Sequence, residues 1–163
     1  MSTGWRTPWP PAIVAAIAAL SVALFGGLAT DIGPWYAALK KPGWQPPDWL
    51  FGPAWTLIFT LTATAGVLTW NNATSAAERR LIVTLFALNG LLNVAWTLLF
   101  FRLHRPDWAL YELLALWSSI AVLIVLTGRI ATAAGWLLVP YLAWVTFAGV
   151  LNAMVVRLNG PFG

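Results

Sequence analysis

The chain contains no cysteine, which excludes a disulfide framework, a thiolate metal site and a thiol nucleophile, and leaves the redox compartment open. Charge is nearly as scarce: Asp, Glu, Lys and Arg make up 9% of 163 residues, too few to coat an ordinary soluble domain. Histidine occurs once, as His104 in a charged connector, where it reads as a solvated turn residue rather than a ligand or base. The HExxH, P-loop and GxSxG patterns and a carboxylate pair are all absent, so no conventional catalytic centre and no metal site is expected.

What the chain has instead is apolar surface. Hydrophobic residues make up 60% of it, mean hydropathy is far above that of a soluble domain, and the apolar residues fall in blocks of roughly twenty, the length a helix needs to cross about 30 Å of hydrocarbon. Five blocks emerge, Ala12–Ala29, Leu50–Trp70, Leu81–Phe101, Trp108–Thr127 and Trp136–Val156. They predict an all-α bundle of five transmembrane helices that forms a single membrane domain over residues 1–163. The connectors carry the expected breakers and charges: Asn71-Asn72 with Glu78 to Arg80, Arg102 to Asp107 with Pro106, and Arg129 to Gly135. The first block reads as a transmembrane helix rather than a cleaved leader, because it is long and Gly27 to Asp31 lacks a small-x-small cleavage site.

The net charge of +4 sits at the ends of the blocks, a pattern of interfacial anchoring to a lipid bilayer and not of nucleic-acid binding. Arg6, Arg79, Arg80 and Arg129 fall on one side of the membrane, and Lys40, Lys41, Arg102, Arg105 and Arg157 on the other, a balance too even to set orientation. Twelve tryptophans are more than two interfacial belts require.

The one long connector, Thr30 to Trp49, contains Pro42, Pro46 and Pro47, which fix φ and remove backbone donors, so its second half is held extended. It reads either as an interfacial linker or as a stiff lid over the bundle mouth with Trp44 turned inward. Three helix faces bear on that choice. Asn89, Asn93 and Trp96 share one face of the third block; Tyr141, Trp144, Ala148 and Asn152 share one face of the fifth; Phe51, Trp55, Phe59 and Thr62 share one face of the second. Any one stripe alone also fits ordinary helix packing, with amides as interhelical glue. Together they supply aromatics with a few orienting polar groups, the composition of a pocket for a flat apolar ligand. Glu112, four residues after Trp108, lies near the interface and is not read as catalytic. Small residues Ala15, Ala19 and Ala23, and Gly149 and Ala153, are spaced for close helix packing within one bundle or between two.

The run from Trp35-Tyr36 through Lys40-Lys41-Pro42, Trp44, Pro46-Pro47 and Trp49 to Phe51 and Trp55 resembles the first loop and second helix of the TspO/MBR family. These are the tryptophan-rich sensory proteins, called translocator protein or peripheral-type benzodiazepine receptor in mitochondria. Asn89-x-x-x-Asn93-x-x-Trp96 with Phe100-Phe101 resembles the family's third helix, and Pro140-Tyr141, Trp144, Phe147-Ala148 and Leu151-Asn152 its fifth, all in family order.

The resemblance implies a multi-pass protein of a bacterial envelope membrane or the mitochondrial outer membrane, often a homodimer. Its pocket would bind protoporphyrin IX or a heme-like tetrapyrrole as ligand, with no obligatory cofactor, as well as isoquinoline carboxamide and benzodiazepine-type drugs. By motif position the ligand-binding residues are Trp44, Pro47, Phe51, Trp55, Asn89, Asn93, Trp144, Ala148 and Leu151. Trp55 and Trp144 are the candidates for any light-dependent chemistry on a bound porphyrin. The implied role is a receptor or binding protein in tetrapyrrole sensing, homeostasis or transport; the alternatives are a light-dependent porphyrin-degrading enzyme and a transporter of tetrapyrrole or sterol-like lipid. Two departures stand out. Asn89 takes a position that is often Gln in the family, and the sterol-associated Leu/Val, Tyr, Lys/Arg pattern is absent after the fifth block.

Overall fold

The computed structural model describes residues 10–162; Arg6 lies outside them. The helices are α1 (Pro11–Ala29), α2 (Pro34–Ala38), α3 (Phe51–Asn72), α4 (Ala76–Thr97), α5 (Pro106–Ile130) and α6 (Thr132–Asn159). All but α2 belong to the five helices long and apolar enough to cross a membrane. The chain is thus an integral multi-pass membrane protein with an all-α architecture.

Local chemistry explains most of the ends. Proline opens α1, α2 and α5, where its missing N–H has no intrahelical partner to lose. Ser75 caps α4 in a capping box: its hydroxyl accepts from the Glu78 N–H at 3.1 Å, while the Glu78 carboxylate accepts from the Ser75 N–H at 3.2 Å. This cap starts the helix at Ala76, one turn ahead of the apolar run that begins at Leu81. At its other end α4 passes into a π-helical turn over Leu98–Arg102, and His104 takes a left-handed φ of 54° in the connector that follows. Between α5 and α6 a single extended residue, Ala131, makes the joint.

The helices pack unequally. α5 has its most extensive contacts with α6, and α4 packs on α5, α3 on α6 and α1 on α3. The tightest approach is beside Ala131, where a Cβ on Gly135 would stand 2.9 Å from the Gly128 Cα and 3.0 Å from the Ile124 carbonyl. Glycine there lets two backbones meet at the turn. The core cluster of Ile58, Leu113, Leu116, Ile120, Tyr141 and Val145 joins α3, α5 and α6. By contrast, Ala29 is the one buried residue of α1, whose Ile13, Val14, Ile17, Leu20, Leu24, Phe25 and Leu28 face outward as a lipid-contacting surface does.

Candidate functional site

Polar side chains bind the rear of the bundle together. The Asn89 amide on α4 donates to the Ser119 hydroxyl on α5 at 2.8 Å, and the Asn93 amide donates to the Tyr141 hydroxyl on α6 at 3.1 Å. Trp117 on α5 donates through Nε1 to Thr146 on α6 at 2.9 Å. The Asn152 carboxamide lies between the Pro106 carbonyl and the Leu110 N–H, at 3.0 and 3.2 Å; turning its nitrogen toward the carbonyl satisfies both and seats α6 on the first turn of α5. In hydrocarbon each such bond contributes about 0.6 kcal/mol and removes an unpaired polar group.

In front of this frame lies a cavity of about 1030 Å³, bounded by α1, α3, α4, α6 and the long connector. Six of the nine ligand-binding candidates meet around it: Phe51, Trp55, Asn93, Trp144, Ala148 and Leu151. The Phe51 and Trp55 rings stand edge-on to Trp144 at 5.7 and 6.4 Å, and Trp55 stacks on Phe59 at 5.3 Å. Trp144 Nε1 is shielded and has no hydrogen-bond partner among the described residues. The cavity is therefore an aromatic slot with a carboxamide at its back, able to hold a flat apolar molecule and orient its polar edge.

Three of the other candidates stand elsewhere. Asn89 is buried but turned to Ser119, as interhelical glue. Trp44 is 48% exposed and leans edge-on against Phe147 at 6.0 Å, outside the cavity lining rather than inward, and Pro47 is exposed beside it in the connector. Thr62 is also absent from the lining, its hydroxyl buried and without a partner among the described residues. On α5, both Glu112 carboxyl oxygens are shielded and without a hydrogen-bond partner among the described residues, deeper than the distance from Trp108 suggests.

Sequence reading passed over the polar mouth and the α1 wall. Tyr36, Lys41, Gln45 and Asp48 line the cavity from the connector. The Tyr36 hydroxyl donates to the Asp48 carboxylate at 3.0 Å, and the Gln45 amide donates to both groups, at 3.3 and 3.2 Å. The Lys41 ammonium sits 3.6 Å over the Tyr36 ring. Burial and the Asp48 carboxylate push the Tyr36 phenol up to about 12, so it stays a donor at any physiological pH. The signal was present as Tyr36, Lys41 and Asp48 in a proline-bounded loop, but only the fold brings them to one point. The α1 contribution is alanine and glycine apart from Leu20, and these carry no chemical signature. Among the described residues no cluster of His, Cys, Asp or Glu could hold a metal ion.

Comparison with known proteins agrees with this architecture. The TspO/MBR family model matches residues 13–158. The tryptophan-rich protein TspO of Archaeoglobus fulgidus is 37% identical over 150 residues, covering 90% of this chain and 96% of that protein. The tryptophan-rich protein TspO of Chlorobaculum tepidum is 38% identical over 125 residues, 77% of this chain and 79% of that one. The human translocator protein is 34% identical over 156 residues, 93% and 92% of the two chains. With the match running from the first span to the last, this chain belongs to the TspO/MBR family of integral membrane proteins.

Proposed function

We propose that this protein is a membrane receptor for porphyrin-type tetrapyrroles, held in the cavity between α1, α3, α4 and α6. The observation that carries the reading is the slot formed by Phe51, Trp55 and Trp144 around a cavity of about 1030 Å³, with the Asn93 carboxamide behind it. Tryptophan and phenylalanine faces match a macrocycle, Ala148 leaves room for its edge, and the Lys41 ammonium at the mouth suits a propionate. Family membership supports the same class of role, binding or sensing at a membrane. The homodimeric state and the binding of isoquinoline carboxamide and benzodiazepine-type drugs belong to this proposal as well. Adding purified protein to protoporphyrin IX in dim light should shift the porphyrin absorption band saturably at one equivalent per chain, and a planar isoquinoline carboxamide should reverse the shift. A linear, non-competable response would count against the receptor reading.

A second reading, light-dependent porphyrin breakdown, is favoured by the Trp55–Trp144 pair at 6.4 Å and by the unpaired indole nitrogen of Trp144. Illuminating the complex under oxygen should generate new absorbing products with wild type and far less with the Trp55→Phe, Trp144→Phe double variant at equal porphyrin occupancy. Equal breakdown by both would remove the two indoles from the chemistry.

A further inference from the structure

The cavity has two possible entrances, and they are held shut very differently. The connector covers its mouth through directional contacts. The Lys40 backbone N–H donates to Asn159 Oδ1 at 2.8 Å while Asn159 Nδ2 donates back to the Lys40 carbonyl at 2.9 Å. Asn159 is itself pinned to the Val155 carbonyl at 2.8 Å. Trp35 stacks on His104 at 4.1 Å with 15° between the planes, and the Tyr36, Gln45 and Asp48 bonds hold the connector itself in one piece. Opening the mouth breaks the two Lys40–Asn159 bonds and the Trp35–His104 stack together.

The seam between α1 and α3 has no equivalent. One continuous cavity surface runs from Trp55 and Trp144 to Ala15, Ala19 and Ala23 of α1 and to Thr60 and Ala63 of α3. It continues onto Ala12, Ala16, Thr56 and Thr64, which are exposed. The seam hydroxyls are spent within their own helices: Thr56, Thr60 and Thr64 donate to the carbonyls four residues back, at 3.0, 2.8 and 2.8 Å, and Ser21 does the same at 2.8 Å. Among the described residues no side-chain hydrogen bond joins α1 to α3, and the tether from α1 to the rest of the bundle runs from the Arg102 guanidinium to the Leu28 carbonyl at the connector end. A Cβ on Gly26 or Gly27 would meet nothing within 4 Å, so α1 borders open space at the cavity there. Parting α1 from α3 costs dispersion contacts that lipid tails largely restore.

We infer that α1 and α3 form a lateral portal through which a flat ligand dissolved in the bilayer enters the cavity from the hydrocarbon, while the connector stays latched. This rests on the receptor reading above and adds the route. An apolar macrocycle concentrates in the membrane, so the portal faces the phase in which the ligand is found.

Because the chain has no cysteine, Ala19→Cys with Thr60→Cys supplies the only two thiols, which a bifunctional maleimide with a reducible spacer can bridge across the seam. The variant in phosphatidylcholine vesicles is mixed with protoporphyrin IX in dim light, and tryptophan quenching is followed by stopped flow. Bridging should slow association and dissociation about tenfold or more, and reduction of the spacer should restore both rates in the same sample. Asn159→Ala, which unlatches the connector, should bind at the wild-type rate. Should the bridge fail to form, Ala16→Phe on the outer side of the seam is expected to slow association in the same way. Unchanged rates in the blocked protein, or faster association in Asn159→Ala, would overturn the portal. Absence of saturable quenching in wild type would instead remove the receptor reading on which it rests.

Discussion

At the joint of α5 and α6 a Cβ on Gly135 would collide with backbone at 2.9 Å, whereas on α1 a Cβ at Gly26 or Gly27 would touch nothing within 4 Å. The same residue type thus marks a close backbone approach in one part of the bundle and open space in another. The first belongs to a frame, α4 to α6, cross-tied by Asn89, Asn93, Asn152 and Trp117. The second belongs to a wall that no side-chain hydrogen bond ties to α3 among the described residues. In lipid there is no hydrophobic gain between helices, so contrasts of this kind in packing and polar ties decide which helix can move.

Breaking the frame should have the largest effect. Gly135→Ala forces backbone apart and should lower stability by about 1–3 kcal/mol, read as an earlier thermal unfolding transition in detergent. Gly27→Ala meets open space and relieves a helical glycine, so it should hold or raise the transition by up to about 1 kcal/mol. Equal losses in the two variants would erase the contrast. Next in size, Asn93→Leu leaves the Tyr141 hydroxyl without its donor, and a double-mutant cycle with Tyr141→Phe should return a coupling of about 0.6–1.7 kcal/mol. A coupling near zero would mean that the Asn93–Tyr141 bond ties nothing together.

The smallest effect concerns the latch. The folded-state pKa of Tyr36 is raised, so its contribution is fully present below about 10, the unfolded phenol value, and is lost as pH rises through about 12. The Lys40–Lys41 bond, assayed with trypsin after brief exposure to rising pH and return to neutral, should stay intact, while fluorescence at high pH should report a reversible loosening of Trp35 in that window. Tyr36→Phe should abolish that transition; its persistence in the variant would assign it to another group.

Much of the fold was legible because bilayer thickness imposes its own length on each span, and five apolar runs admit few alternatives. The misplaced ends have local causes. The Ser75–Glu78 cap was present in the sequence, yet the polar turn it stabilises is less apolar than the span behind it, so hydropathy began the helix at Leu81. The α2 helix is too short to produce a periodic signal. Within the site, helical spacing placed Trp55, Asn93, Trp144 and Ala148 on faces that the fold turns to one cavity. Asn89 is one turn from Asn93 on a similar face, but the two amides answer to different neighbours, Ser119 and Tyr141, and a single helix cannot reveal that. Trp44 shows the same limit in a loop, where the direction of a side chain depends on contacts such as that with Phe147. The portal was least legible of all, since alanine and glycine register only as packing residues until their surroundings are known.

Ala148→Phe tests the aromatic cavity as the binding site most directly, because it adds a ring at a position that lines the cavity on the helical face shared by Trp144 and Asn152. Tryptophan quenching by protoporphyrin IX in dim light, titrated into detergent-purified wild type and variant, is expected to saturate in wild type and to be lost or shifted at least about tenfold in Ala148→Phe. Identical quenching curves for two equally folded proteins would contradict the account and place the porphyrin elsewhere on the protein or in the detergent.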